Sequence, residues 1–198
     1  MQKNLNSPYK DRPARERILL TAHDLFYRDG IRATGIDKLI AESGVTKVTF
    51  YRHFPSKNDL IRAFLDYRHR LWMDWFNDAL VRHGAKPGGG LSALVPTLEE
   101  WFNNPVFRGC AFINSVAELG GISPEVKEIS SRHKLDMANV IAGLLPDSPQ
   151  RLALANAAAM AVDGAIVKAQ LDNQNENPAT TALEGLALLL QNLTAVNL

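Results

Sequence analysis

Between Thr46 and Arg52 the chain places two threonine hydroxyls, a lysine, a valine, a phenol and an arginine around Phe50. None of these pairs an acid with a base at a spacing that suggests catalysis, but together they suit recognition of a polyanion. Hydroxyls match phosphate oxygens, Arg and Lys match phosphates or guanine edges, and a valine can touch a thymine methyl. At about 100° per helical residue, with Phe50 and Phe54 defining the inward direction, Arg52 points almost directly away from the core and Val48 lies beside it. Thr49 and Tyr51 flank that pair, and Thr46 and Lys47 sit at the start. The face predicted to read the partner is therefore Thr46, Lys47, Val48, Thr49, Tyr51 and Arg52.

The surrounding stretch from Thr34 to Lys57 must position that face. Ile36, Leu39 and Ile40 give a first short helix its apolar side, Gly44 makes a tight turn, Val45, Phe50 and Phe54 line a second helix, and Ser56 opens a third. Two short helices joined through a glycine bury little alone, so they must cross on another helix. That is the helix-turn-helix arrangement, whose second helix enters the DNA major groove. The supporting helix is predicted from about Pro13 to Asp29, stopped by Gly30, with Ile18, Ala22, Leu25 and Phe26 at helical spacing.

The run from Ile18 through Phe64, most tightly GVTKVTFYRHFPSKNDL, resembles the DNA-binding region of the TetR family of bacterial transcriptional repressors, and the Y-x-H-F-x-S-K portion is its most specific part. The resemblance implies that Thr46, Lys47, Val48, Thr49, Tyr51 and His53 sit on DNA, while Lys57 and Thr34 hold its backbone. One departure stands out. Where the family often has Thr or Ser after the residue matching Thr34, this chain has Gly35, so a phosphate contact made by many relatives is missing.

Charge is divided in the way this reading needs. The 198 residues carry a net charge of only +1, with 46% hydrophobic and 22% charged residues, an ordinary globular composition. Residues 1 to 60 hold eleven Lys/Arg against seven Asp/Glu, and the remainder eleven against fourteen, so the basic end is the end with the motif. Lys3, Lys10 and Arg12 around Pro8 read as a loose basic arm. The single cysteine, Cys110, excludes an internal disulfide framework and fits a reducing compartment. No apolar run approaches the roughly 18 or more residues of a membrane span and the first residues are polar, so the expectation is a cytoplasmic protein with no membrane partner.

Beyond the motif, Ser56-Lys57-Asn58-Asp59 has the form of a capping box and opens a helix of about 27 residues, some 40 Å long. GAKPGGG, residues 84 to 90, ends it. Further helices are predicted over about 91 to 103, 106 to 119, 124 to 145, 149 to 172 and 178 to 196, separated by proline and glycine clusters. The fold class is thus all-α with about nine helices: a DNA-binding domain over 12–58 and a ligand-binding and dimerisation domain over 59–198. The stretch RGCAFINSVAELGGISPEVKEISSRHK resembles the ligand-binding domain of one branch of the family.

The last two helices carry an Ala/Gly-rich surface, LALANAAAMAVDGAIVKAQL, and leucines at 183, 186, 190 and 193. Two copies of this pair would make a four-helix bundle, which predicts a homodimer through about 149 to 196. Trp72, Trp75, Phe76, Trp101, Phe102, Phe107 and Phe112, with Met137, Met160 and Ile166 facing them, suit either a large-residue core or an apolar ligand cavity. Asn114, Glu118, His133 and Asp163 are its candidate polar anchors. A metal site from Glu118, His133 and Asp136 lacks a short ligand spacing, the glycines at 88 to 90 lack the rest of a phosphate loop, and Cys110 inside an apolar run reads as an inert thiol. No cofactor is implied. The expected partners are double-stranded operator DNA, a small hydrophobic or amphipathic effector and a second copy of the chain. The resulting function is a repressor released by its ligand; the rival is a helical enzyme or carrier for a small hydrophobic substrate.

Overall fold

The computed structural model describes residues 8–171 and 179–195, so Lys3, Pro178 and the expected last-helix end at 196 lie outside the described residues. Among the described residues there are nine α-helices and no strand: α1 (Ala14–Asp29), α2 (Ile36–Ser43), α3 (Lys47–His53), α4 (Lys57–Arg82), α5 (Leu94–Phe102), α6 (Ala111–Leu119), α7 (Pro124–Leu144), α8 (Arg151–Leu171) and α9 (Thr180–Ala195). Two helices start later than their apolar pattern predicts. α5 waits for Leu94 because Gly90, at φ 93°, breaks the backbone and Leu91 begins only a turn. α6 waits for Ala111 because Asn104 caps a turn at Val106 and Phe107, and Gly109 follows at φ 80°.

The chain divides into two compact units, residues 1–70 with 111–130, and residues 71–110 with 131–198. In the first unit α1 carries α2 and α3. Ile18, Ala22, Leu25 and Phe26 of α1 are buried with Leu39 of α2, Phe50 and Phe54 at α3, and Leu60 and Phe64 of α4. Phe26 meets Phe64 edge to face at 5.3 Å, a geometry aromatic rings prefer. The turn between α2 and α3 depends on Gly44, whose left-handed φ of 64° lets its N–H reach the carbonyls of Ala41 and Ile40. α4 is opened by a reciprocal cap in which Ser56 and Asp59 exchange hydrogen bonds at 3.0 and 3.1 Å.

In the second unit α8 packs on α9, and α5 also meets α9. The glycine loop after α4 has a definite role: the N–H groups of Gly88 and Gly90 donate to the carbonyls of Gly143 and Leu144 at 3.2 and 2.8 Å, satisfying the open end of α7. The inward side of α8 is Ala155, Ala158, Ala159, Val162, Ala165, Ile166 and Ala169. This small-residue face allows a close approach of α9, and it turns the bulkier Leu152, Met160, Val167 and Leu171 outward. Met160, expected to face the aromatic residues, is therefore 69% exposed. Leu183, Leu186 and Leu190 of α9 are buried within the subunit, whereas Leu188 and Leu189 are exposed. α8 is the one described helix long and apolar enough by length and composition alone to cross a bilayer, with a mean hydropathy of 1.4 over its best 18 residues, a test that the core helix of a globular protein also passes.

Candidate nucleic-acid interface

Thr46 is the N-cap of α3: its hydroxyl accepts the Thr49 N–H at 3.2 Å and lies 2.9 Å from the Thr49 hydroxyl. Phe50 and Phe54 hold the helix inward, and the Arg15 guanidinium lies 5.2 Å from the Phe54 ring centre. With that side anchored, Thr46, Lys47, Val48, Tyr51 and Arg52 are exposed, Val48 by 74%, while Thr49 and His53 are half-buried. Tyr51 meets Phe50 edge to face at 5.4 Å, so its ring is rooted against the core while 38% of the residue faces water. An isolated exposed valine is ordinary on any surface. Here it stands between two cations and a phenol on one helix face.

The two residues assigned to the DNA backbone by resemblance sit differently. Thr34 is 0% exposed, and its hydroxyl donates to the Gly30 carbonyl at 2.7 Å. Its side chain therefore closes the loop after α1 and offers no surface to a phosphate. Lys57 is half-buried, and its ammonium donates to the Ile31 carbonyl at 2.6 Å. Desolvation lowers its pKa below the ordinary lysine range, with the charge of Glu118 pulling the other way. Gly35, the exposed N-cap of α2, provides no side-chain cap.

Residues 8–12 are folded rather than loose. Arg12 N–H donates to the Tyr9 carbonyl at 2.9 Å, and the Tyr9 hydroxyl donates to Asp24 at 2.6 Å. Asp24 also meets Nδ1 of His23 at 3.1 Å, while Nε2 of His23 faces Arg68 at 3.4 Å. A guanidinium only donates, so Nε2 is the accepting nitrogen and Nδ1 carries the proton. Desolvation pushes the Asp24 carboxyl up, but the hydrogen bonds from His23 and Tyr9 outweigh it and leave the pKa below its ordinary value.

The candidate ligand residues fall in both units. Phe112, Asn114 and Glu118 lie in the first; Trp72, Trp75, Phe76, Trp101, His133, Met137 and Asp163 lie in the second. Within the second unit Trp72 stacks on Phe76 at 4.6 Å and meets Trp101 and His133 edge-on at 5.5 and 5.0 Å. Trp72, Phe76, Trp101, His133 and Met137 are all buried. Two polar atoms of this unit, Trp72 Nε1 and Thr97 Oγ1, are buried with no hydrogen-bond partner. Asp163 is half-buried and ion-paired with Lys134 at 2.5 Å, and Trp75 donates to Glu100 at 3.0 Å. Glu118 does not act as a free anchor, because both its oxygens accept backbone N–H groups, from Ile31 at 3.3 Å and Arg32 at 2.7 Å. Nothing local in the sequence signals a contact across so long a stretch of chain.

An all-helical chain whose α2 and α3 cross on α1, with a polar and cationic outer face on α3, is a helix-turn-helix DNA-binding protein. The family model for bacterial regulatory proteins of the tetR family matches residues 18–64. The crystal structure of SCO4454, a TetR-family transcriptional regulator from Streptomyces coelicolor, superposes with a TM-score of 0.77 at 32% identity, covering 91% of this chain and 96% of that one. The protein belongs to the TetR family of transcriptional regulators. A TetR regulator from Chloroflexus aurantiacus shares the fold, with a TM-score of 0.73 at 22% identity over 91% of this chain and 94% of its own. An uncharacterised helix-turn-helix regulator of Lactococcus lactis is 23% identical over 121 residues, 61% of this chain and 62% of that protein, so the match spans less than two thirds of its length.

Proposed function

We propose that the protein is a cytoplasmic, homodimeric repressor that occupies a palindromic operator and leaves it when a small apolar or amphipathic molecule binds residues 59–198. Residues 12–58 read the DNA. Thr46, Lys47, Val48, Thr49, Tyr51, Arg52 and His53 meet the major groove and its phosphates; Lys57, with two ammonium hydrogens beyond the one given to Ile31, reaches the backbone. Thr34 leaves the list for the reason of its burial. The observation that carries the reading is the inward anchoring of Phe50 and Phe54, which turns the polar and cationic side of α3 to water.

Dimerisation is supported by the apolar strip that α8 and α9 leave exposed: Leu152, Met160, Val167 and Leu171, with Leu188 and Leu189. A strip of this kind suits burial against its own copy, and a dimer sets two reading helices about one DNA turn apart. Ligand binding is supported by the aromatic cluster around Trp72 and by the two buried, unpartnered polar atoms, which a ligand bearing a hydrogen-bond acceptor would satisfy. The test is selection of duplex DNA from a random pool by the purified protein. The reading expects a palindromic consensus bound by a dimer, with affinity falling steeply as salt rises. Failure to enrich any sequence contradicts it.

A further inference from the structure

The residues between Cys110 and Ser131 join the second unit to itself along the chain, yet they are compact with the DNA-reading head. One side chain shows what ties them there. Glu118, at the end of α6, accepts the N–H of Ile31 on one carboxylate oxygen and the N–H of Arg32 on the other. These amides lie in the connection between α1 and α2. The same peptide stretch is held from its other side, since the Ile31 carbonyl accepts the Lys57 ammonium at 2.6 Å, and Lys57 is the first residue of α4 immediately after the reading helix.

A carboxylate on the N–H side of Ile31 and an ammonium on its C=O side act in the same sense on that residue's polar groups, and hydrogen bonds to charged groups are about twice as strong as neutral ones. Gly30, the residue before Ile31, is tied as well. Gly30 N–H bonds the Phe26 carbonyl, Gly30 C=O accepts the Thr34 hydroxyl, and the Ile31 side chain is buried. Gly30 has a φ of 89°, and a Cβ there would lie 3.2 Å from a Glu118 oxygen, so the glycine and the carboxylate are fitted to each other.

We propose that Glu118 is a positioning residue for DNA reading, acting through the peptide connection that places α2. This rests on the reading of α3 as the DNA-contacting helix. With both bonds made, the connection after α1 fixes where α2 begins, and α2 fixes α3 through the Gly44 turn. α6 is joined covalently to the second unit at Cys110–Ala111, and α7 returns to it at Ser130–Ser131.

The test compares wild type, Glu118→Ala, Glu118→Gln and Arg52→Ala on the duplex selected from a random pool by the wild-type protein. Amide exchange at Ile31 and Arg32 and thermal unfolding are followed in parallel. Expected are a tenfold or greater loss of operator affinity for Glu118→Ala, a smaller loss for Glu118→Gln, which keeps one accepting oxygen, and faster exchange at Ile31 and Arg32 in both. Non-specific DNA affinity should stay within twofold. If Glu118→Gln folds with wild-type stability and exchanges faster at both amides yet binds the duplex as wild type does, while Arg52→Ala loses binding, the proposal is overturned and the DNA reading stands. If Arg52→Ala itself leaves binding unchanged, the DNA reading fails first.

Discussion

The first unit and the second solve opposite surface problems. In the head, α3 buries Phe50 and presents hydroxyls, cations and a phenol, and the backbone polar groups of Gly30 and Ile31 in the connection after α1 all have partners. In the second unit α8 buries alanines and presents Leu152, Met160, Val167 and Leu171. The difference separates a surface finished for water and polyanion from one that gains by being covered.

The largest expected effect breaks the head. Phe50→Ala removes a fully buried ring from the small core under α1 and should destabilise the first unit by about 3–5 kcal/mol, seen as an early transition in thermal unfolding followed by circular dichroism. A head that unfolds as wild type does would mean that α3 is not anchored through this residue. On the other side of the comparison, Met160→Glu places a charge on the exposed strip of α8. It should leave the unfolding temperature of an isolated subunit nearly unchanged while weakening self-association by about 2 kcal/mol, measured by analytical ultracentrifugation. Unaltered self-association would show that the strip is not the dimer surface.

A smaller effect depends on pH. Asp24 titrates below its ordinary value, so its contribution is complete above the unfolded carboxylate pKa of about 3.9 and is lost as pH falls through the lower folded value. Tyr9→Phe removes one of the hydrogen bonds responsible. It should cost about 0.5 kcal/mol at neutral pH, discounted because Asp24 is partly exposed, and that difference should vanish in acid. A difference that persists in acid would assign the effect to packing of the ring. The smallest effect adds a cap. A Cβ at Gly35 meets nothing within 4 Å, so Gly35→Ser should raise stability by about a few tenths of a kcal/mol and tighten operator binding through a new hydroxyl at the start of α2. Weaker binding would place Gly35 against something other than a phosphate.

The head is legible in the sequence because its signals are short-range. The Ser56–Asp59 cap, the Gly44 turn and the spacing of Phe50 and Phe54 all act within a few residues, and helical geometry alone turns Arg52 outward. The connection after α1 is not legible in the same way. Thr34 faces the Gly30 carbonyl and Glu118 reaches the Ile31 and Arg32 amides, and neither choice follows from periodicity. In the second unit, leucine spacing correctly marks an apolar stripe on α9 but does not say which partner covers it. The alanines of α8 decide that, because their small side chains admit α9 and leave Met160 and Leu188 outside. Hydrophobicity thus identified the faces, and side-chain size assigned them.

The central claim, that the outer face of α3 reads DNA, is tested most directly by titrating the selected duplex with wild type and Arg52→Ala across a range of salt concentrations. The account predicts a steep loss of wild-type affinity with salt and a further loss of about 1–3 kcal/mol in the variant, with relaxed preference at individual base pairs if Arg52 reads a base edge. Equal affinities and equal salt slopes for the two proteins would contradict it.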